Sequence, residues 1–167
     1  HLISLLNLKN ITLVMHDWGA ALGLHYAKMH EHQVRGLAFM EAIVKTFSWS
    51  DFDKKFKLGF KLIRKPAVGW LLDAAINIFL NTIMPKAIVR KLSDEEMEYY
   101  RQPFQTVESR KPVRMWPREI PIEGSPADMH KVVSAYSYWL QKAPLPKLLL
   151  YASPGGIINA RTLQWCQ

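Results

Sequence analysis

Two short apolar runs limit what this chain can become. Ile11-Thr12-Leu13-Val14-Met15 has the form of a strand buried on both faces in a parallel sheet, and Val34 to Met40 is a second apolar run that reads as a strand. Between them, Ala20 to His30 is rich in helix formers and apolar on most sides, which predicts a buried helix. Strand, helix and strand in so short a span make a βαβ unit, the building block of a doubly wound α/β sheet.

Further along, the pattern changes. Residues 46–143 carry helical signals and almost no strand. Ser93-Asp94-Glu95-Glu96 is a capping box, and its helix should stop before Pro103. Ser125-Pro126-Ala127-Asp128 starts a second helix with Pro126 at its first position, and Val132, Val133, Tyr136, Trp139 and Leu140 form its apolar stripe. Pro112 to Pro121 reads as a proline-punctuated loop carrying Trp116. Lys147-Leu148-Leu149-Leu150-Tyr151 reads as a third parallel strand. Three segments follow: a sheet core over 1–45, a helical insertion over 46–143, and a return to the core over 144–167. An insertion after a strand's carboxyl end lies over the crevice where α/β proteins bind ligands, the natural place for a lid.

Charge and cysteine content bound the partners. Lys plus Arg number 22 against 14 Asp plus Glu, a formal charge of +8. Part of the excess clusters in Lys54-Lys55-Phe56-Lys57-Leu58-Gly59-Phe60-Lys61-Leu62-Ile63-Arg64-Lys65, where cations alternate with apolar residues at helical spacing. The expected reading is a solvated amphipathic helix whose apolar side covers a neighbour, with no membrane-surface partner. No nucleic-acid motif accompanies the charge, so no nucleic-acid partner is expected. Seven Phe, six Trp and six Tyr exclude a disordered chain. Cys166 is the single cysteine, which excludes a disulfide framework and a Cys-rich metal site. No apolar stretch is long enough to span a bilayer and no signal pattern is present, so a cytoplasmic location is expected. His1 opens directly on an apolar pattern, and the chain is expected to begin inside a larger protein.

The chemistry concentrates in Met15-His16-Asp17-Trp18-Gly19, between a predicted strand and a predicted helix. A nucleophile elbow has this context, with small residues close by, here Gly19, Ala20, Ala21 and Gly23. Asp17 stands at the nucleophile position. A carboxylate needs no base to attack, but the ester it forms needs an activated water for hydrolysis. The helix beyond Asp17 offers backbone N–H groups to developing charge, and Trp18 adds an indole N–H suited to an anionic leaving group. The competing reading makes Asp17 an ordinary N-cap.

Val14-Met15-His16-Asp17-Trp18-Gly19-Ala20-Ala21-Leu22-Gly23 resembles the elbow of the haloalkane dehalogenases, within the α/β-hydrolase fold. The resemblance continues through Phe39-Met40-Glu41, Met84-Pro85-Lys86, Tyr100-Arg101-Gln102-Pro103-Phe104, Trp116 to Ile122 and Leu145 to Leu149. It implies a partial α/β-hydrolase sheet with a helical lid. It also implies Asp17 as the nucleophile, Trp18 as halide and oxyanion ligand, and Glu41 as the acid that orients a catalytic His. Phe79 and Met84 match substrate-pocket positions. The substrate would be a small organic halide, with no metal and no organic cofactor.

The chain departs from the pattern in two places. The family's Asn halide ligand precedes the elbow, and its catalytic His follows a later strand, whereas the last histidine here is His130. The catalytic His is therefore expected to be absent from this chain, and Ala160 to Gln167, which does not resemble the family, to be an alternative or truncated end. Turnover by the chain alone is not expected. Related readings are a coelenterazine luciferase of sea-pansy type and an epoxide hydrolase. The epoxide hydrolases place their acid after the third strand, where Ala152-Ser153-Pro154-Gly155-Gly156 carries none. A third reading is a non-catalytic binding module. Three strands alone would leave edges unpaired, so oligomerisation is expected as well.

Overall fold

The computed structural model describes His1–Gln167. In chain order the elements are α1 (Leu2–Leu5), β1 (Ile11–His16), α2 (Asp17–Met29), β2 (Val34–Ala42), α3 (Lys54–Arg64), α4 (Pro66–Gly69), α5 (Met84–Lys86), α6 (Asp94–Arg101), α7 (Lys111–Glu119), α8 (Ala127–Lys142), β3 (Lys147–Leu150) and α9 (Ala160–Cys166). Two π-helical stretches, Trp70–Ala75 and Phe79–Ile83, lie between α4 and α5. The chain forms two compact units, one of His1–Asp51 with Pro121–Gln167 and one of Phe52–Ile120.

In the first unit the three strands are parallel in the order β1-β2-β3. Val14, Ala38 and Leu148 lie side by side in this register, as do Met15, Phe39 and Leu149. Side chains alternate along a strand, so these two rows face opposite ways. α2 packs on β1 and β2, and Met15, Leu37 and Phe39 are buried. The other row is open, with Val14 71% exposed and Leu148 and Leu150 also exposed. The expectation that Ile11–Met15 is buried on both faces is thus corrected: one face has a helical layer and the other has none. Gly23 lets Met15 lie close against α2: a Cβ there would fall 2.2 Å from the Met15 sulfur and force that side chain to move, whereas a Cβ on Gly19 would meet open space.

α8 belongs with this sheet. It packs against α2, burying Val133, Tyr136 and Leu140, and the Tyr136 hydroxyl donates to the Ile43 carbonyl at 2.6 Å. Just before α8, the Phe47 N–H donates to the Pro121 carbonyl at 3.0 Å, and the Glu123 N–H donates to the Phe47 carbonyl at 2.8 Å. These bonds leave Phe52–Ile120 as the second unit, narrower at both ends than the 46–143 insertion. Pro126 proves to be the extended residue before α8, not its first helical position. The tail Ala160–Cys166 forms α9, capped by the Asn159 side chain, which accepts from the Thr162 N–H at 3.1 Å and donates to the Asp51 carbonyl at 2.9 Å.

The second unit is helical throughout. Asp53 caps α3 by accepting from the Lys55 and Phe56 N–H groups. α6 begins at the Ser93–Glu96 capping box and ends at Arg101, before Pro103. The proline-punctuated loop does not form; Lys111–Glu119 is α7. Pro112 sits in its first turn, where a backbone N–H has no helical partner to lose. Pro117 stands near its end, where the Arg64 guanidinium donates to the Pro117 and Ile120 carbonyls at 3.1 and 2.7 Å. An arginine 53 residues upstream thus satisfies carbonyls that the terminating helix leaves open.

Candidate active site

β1 runs directly into α2 without an intervening loop residue. His16 is extended, with φ −141° and ψ 144°, and Asp17 follows at φ +48° as the first residue of α2. A left-handed backbone is uncommon in a residue other than glycine, and such strain clusters at functional sites. An extended residue, a left-handed one and then a helix make the strained strand-to-helix turn of a nucleophile elbow. The ordinary N-cap reading of Asp17 does not fit, since the residue flanking the helix is His16 and its side chain makes no capping bond.

Asp17 is half-buried. Burial pushes its carboxyl up from the ordinary value of 3.8, and the negative charge of Glu41 adds to this. The Trp18 backbone N–H and His16 pull the other way and do not cancel the burial. Trp18 is half-buried in the first turn of α2.

Glu41 occupies the matching place on the neighbouring strand. His16 pairs with Met40, and a further bridge joins Asp17 to Ala42, so both carboxylates stand at adjacent strand ends. Glu41 also has positive φ, +41°. Its Oε2 accepts from the Gly156 N–H at 2.9 Å and from the Ile157 N–H at 2.5 Å. A Cβ on Gly156 would come within 3.1 Å of that same oxygen, a tight contact that the Glu41 side chain would have to yield to by a few tenths of an ångström. Glu41 is half-buried, and both of these backbone donors meet the same oxygen.

Phe79 and Met84 are both in the second unit. Phe79 opens a π-helical stretch and Met84 follows its end; both are half-buried. His130 lies in the first turn of α8 with a buried, unpartnered Nδ1, and His30 stacks on Tyr26 with ring centroids 4.5 Å apart. Sequence reasoning missed the two donors to Glu41. The signal for them in the sequence is Gly155-Gly156 itself, where backbone without side chains can come close to a carboxylate.

Residues 2–65 match the family described as alpha/beta hydrolase fold. A haloalkane dehalogenase of Sphingobium indicum is 40% identical over 158 residues, covering 94% of this chain and 53% of that protein. One of Mesorhizobium japonicum is 41% identical, covering 92% of this chain and 50% of that protein. Among solved structures, the haloalkane dehalogenase DbeA of Bradyrhizobium elkani superposes with a TM-score of 0.92 at 41% identity, over 98% of this chain and 57% of that one. The chain spans about half the length of the relatives it matches. It is a partial α/β-hydrolase fold whose matched relatives, in sequence and in structure, are haloalkane dehalogenases.

Proposed function

We propose that Asp17 is the nucleophile of a dehalogenase-type displacement on a small haloalkane. One Asp17 oxygen forms a bond to the halogen-bearing carbon, the carbon–halogen bond breaks, and the halide leaves with the bonding pair. The observation that carries this reading is the Asp17 backbone, at φ +48° between β1 and α2, with Glu41 fixed at the neighbouring strand end. Partial burial removes water from the carboxylate, and a less hydrated carboxylate attacks carbon more readily.

The Trp18 indole N–H is assigned to the departing halide, and its backbone N–H to the oxyanion of the later ester hydrolysis. Glu41 is assigned to orienting an imidazolium, a role suited to a carboxylate already fixed by backbone donors. No histidine of this chain is assigned as the base for ester hydrolysis. Phe79 and Met84 keep the substrate-lining role that the resemblance gives them.

The test is bromide release from a primary bromoalkane by the 167-residue chain. Release stoichiometric with protein, and lost in Asp17→Asn, is the expected result. Release unchanged in Asp17→Asn would refute the assignment.

A further inference from the structure

Between Asp53 and Asp73 the chain holds six basic residues and no acidic one. α3 lies in this stretch and has two dissimilar sides. One carries stacked rings, with Phe56 4.9 Å from Phe52 and 4.8 Å from Phe60, and Ile63 nearby is buried. The other recurs at helical spacing as Lys54, Lys55, Leu58, Lys61, Leu62 and Lys65, all exposed. Leu58 is 64% exposed among those lysines. The exposed apolar character continues past α4 in Trp70 and Leu71. No carboxylate pairs with Lys54, Lys55 or Lys65.

A solvated helix face needs cations but has no use for outward leucines, and a core-facing stripe has no use for lysines. Both occur here on one face. We propose that the outer face of α3, continued through Trp70 and Leu71, docks on the surface of a bilayer containing anionic lipid. Headgroup phosphates and carboxylates match the lysines. Leu58, Leu62 and Trp70 enter the headgroup–acyl boundary, with the lysine stems lying along them. α3 has 11 residues and carries lysines throughout, so its contact with lipid is placed at the surface; no single helix is long and apolar enough to cross a membrane, and one pair bent by 65°, Pro66–Ala75 with Phe79–Lys86, passes on length and composition alone. A polyanion such as RNA would satisfy the lysines and leave the leucines and Trp70 in water, which favours lipid. Sequence spacing turned the apolar residues of α3 inward; the outward leucines are what change that reading.

The test is co-sedimentation of the 167-residue chain with vesicles of phosphatidylcholine alone and of phosphatidylcholine mixed with phosphatidylserine. Binding to the mixed vesicles should exceed binding to the neutral ones by at least about tenfold and weaken with added salt. The triple variant Lys54→Gln, Lys55→Gln, Lys65→Gln should lose about tenfold or more. Leu58→Ser with Leu62→Ser should weaken binding at unchanged charge, and circular dichroism checks that both variants stay folded. Equal binding to both vesicle types, no binding to either, or binding untouched by both variants would overturn the proposal. So would retention by an acidic polymer without retention by vesicles.

Discussion

Glu41 in the sheet unit and Asp73 in the helical unit are both carboxylates drawn away from water, and their surroundings treat them in opposite ways. Glu41 stands where the end of β2 meets the loop after β3, and two backbone N–H groups converge on one of its oxygens. Asp73 lies in the π-helical stretch Trp70–Ala75, 1% exposed, and neither of its oxygens has a hydrogen-bond partner. Arg114 pulls its pKa down through charge alone, and the Arg114 Nε is itself buried without a partner. Burial therefore wins and pushes Asp73 up to about 6. Two backbone donors satisfy the Glu41 oxygen, whereas Asp73 is buried with no donor facing it, and that burial is what raises it.

This contrast can be broken most forcefully at Trp18. If the elbow side is built to receive charge, Trp18→Phe removes an indole donor while keeping most of the apolar ring. Loss of such a donor costs about 2 to 4 kcal/mol in the transition state. The rate of bromide release should fall by the corresponding factor, with the urea midpoint unchanged. An unaltered rate would take Trp18 out of the chemistry and leave the elbow without its charge-receiving group.

Asp73 sharpens the other side. Its folded pKa, about 6, lies above the ordinary 3.8, so the protonated acid is the form that folding favours. The contribution to stability is full below 3.8 and is lost as pH rises through about 6. The effect should be on the order of 2 kcal/mol after allowance for solvent screening. Asp73→Asn should flatten this slope in urea titrations run across that window. A slope that survives the substitution would assign the titration to another group.

The smallest expected change is at Glu41. Glu41→Gln keeps an acceptor for the Gly156 and Ile157 N–H groups but removes its charge, and Gly156 is exposed. The loss should be about 1 kcal/mol in urea denaturation at neutral pH. A loss as large as that expected for a fully buried ion would mean that the loop after β3 depends on this charge far more than its exposure allows.

Much of the site was legible because local chemistry determines it. The switch from a strand period to a helix period on either side of Asp17 needs no knowledge of distant residues, and the Ser93–Glu96 box is equally local. Glu41 was legible through the family resemblance alone, because its donors lie 115 and 116 residues away. Three other features were hidden for the same physical reason. An apolar strand does not say how many helical layers will cover it, so the open face bearing Val14 was missed. Prolines at 112 and 117 read as loop until Arg64 is seen on the carbonyls at the end of α7. A single acid inside the apolar run Trp70 to Ile76 gives no sign that it will be buried without donors.

The central claim is that Asp17 and no other carboxylate attacks carbon. Intact-mass measurement of the chain after incubation with a bromoalkane, followed by peptide mapping, tests it most directly. The expected result is one added alkyl group located on Asp17 and absent from Asp17→Asn. Raised as it is by burial, the Asp17 carboxyl should also shift the acid limb of the labelling rate above the ordinary carboxylate value of 3.8. An alkyl group on Glu41, Asp73 or Cys166, with Asp17 unmodified, would contradict the claim.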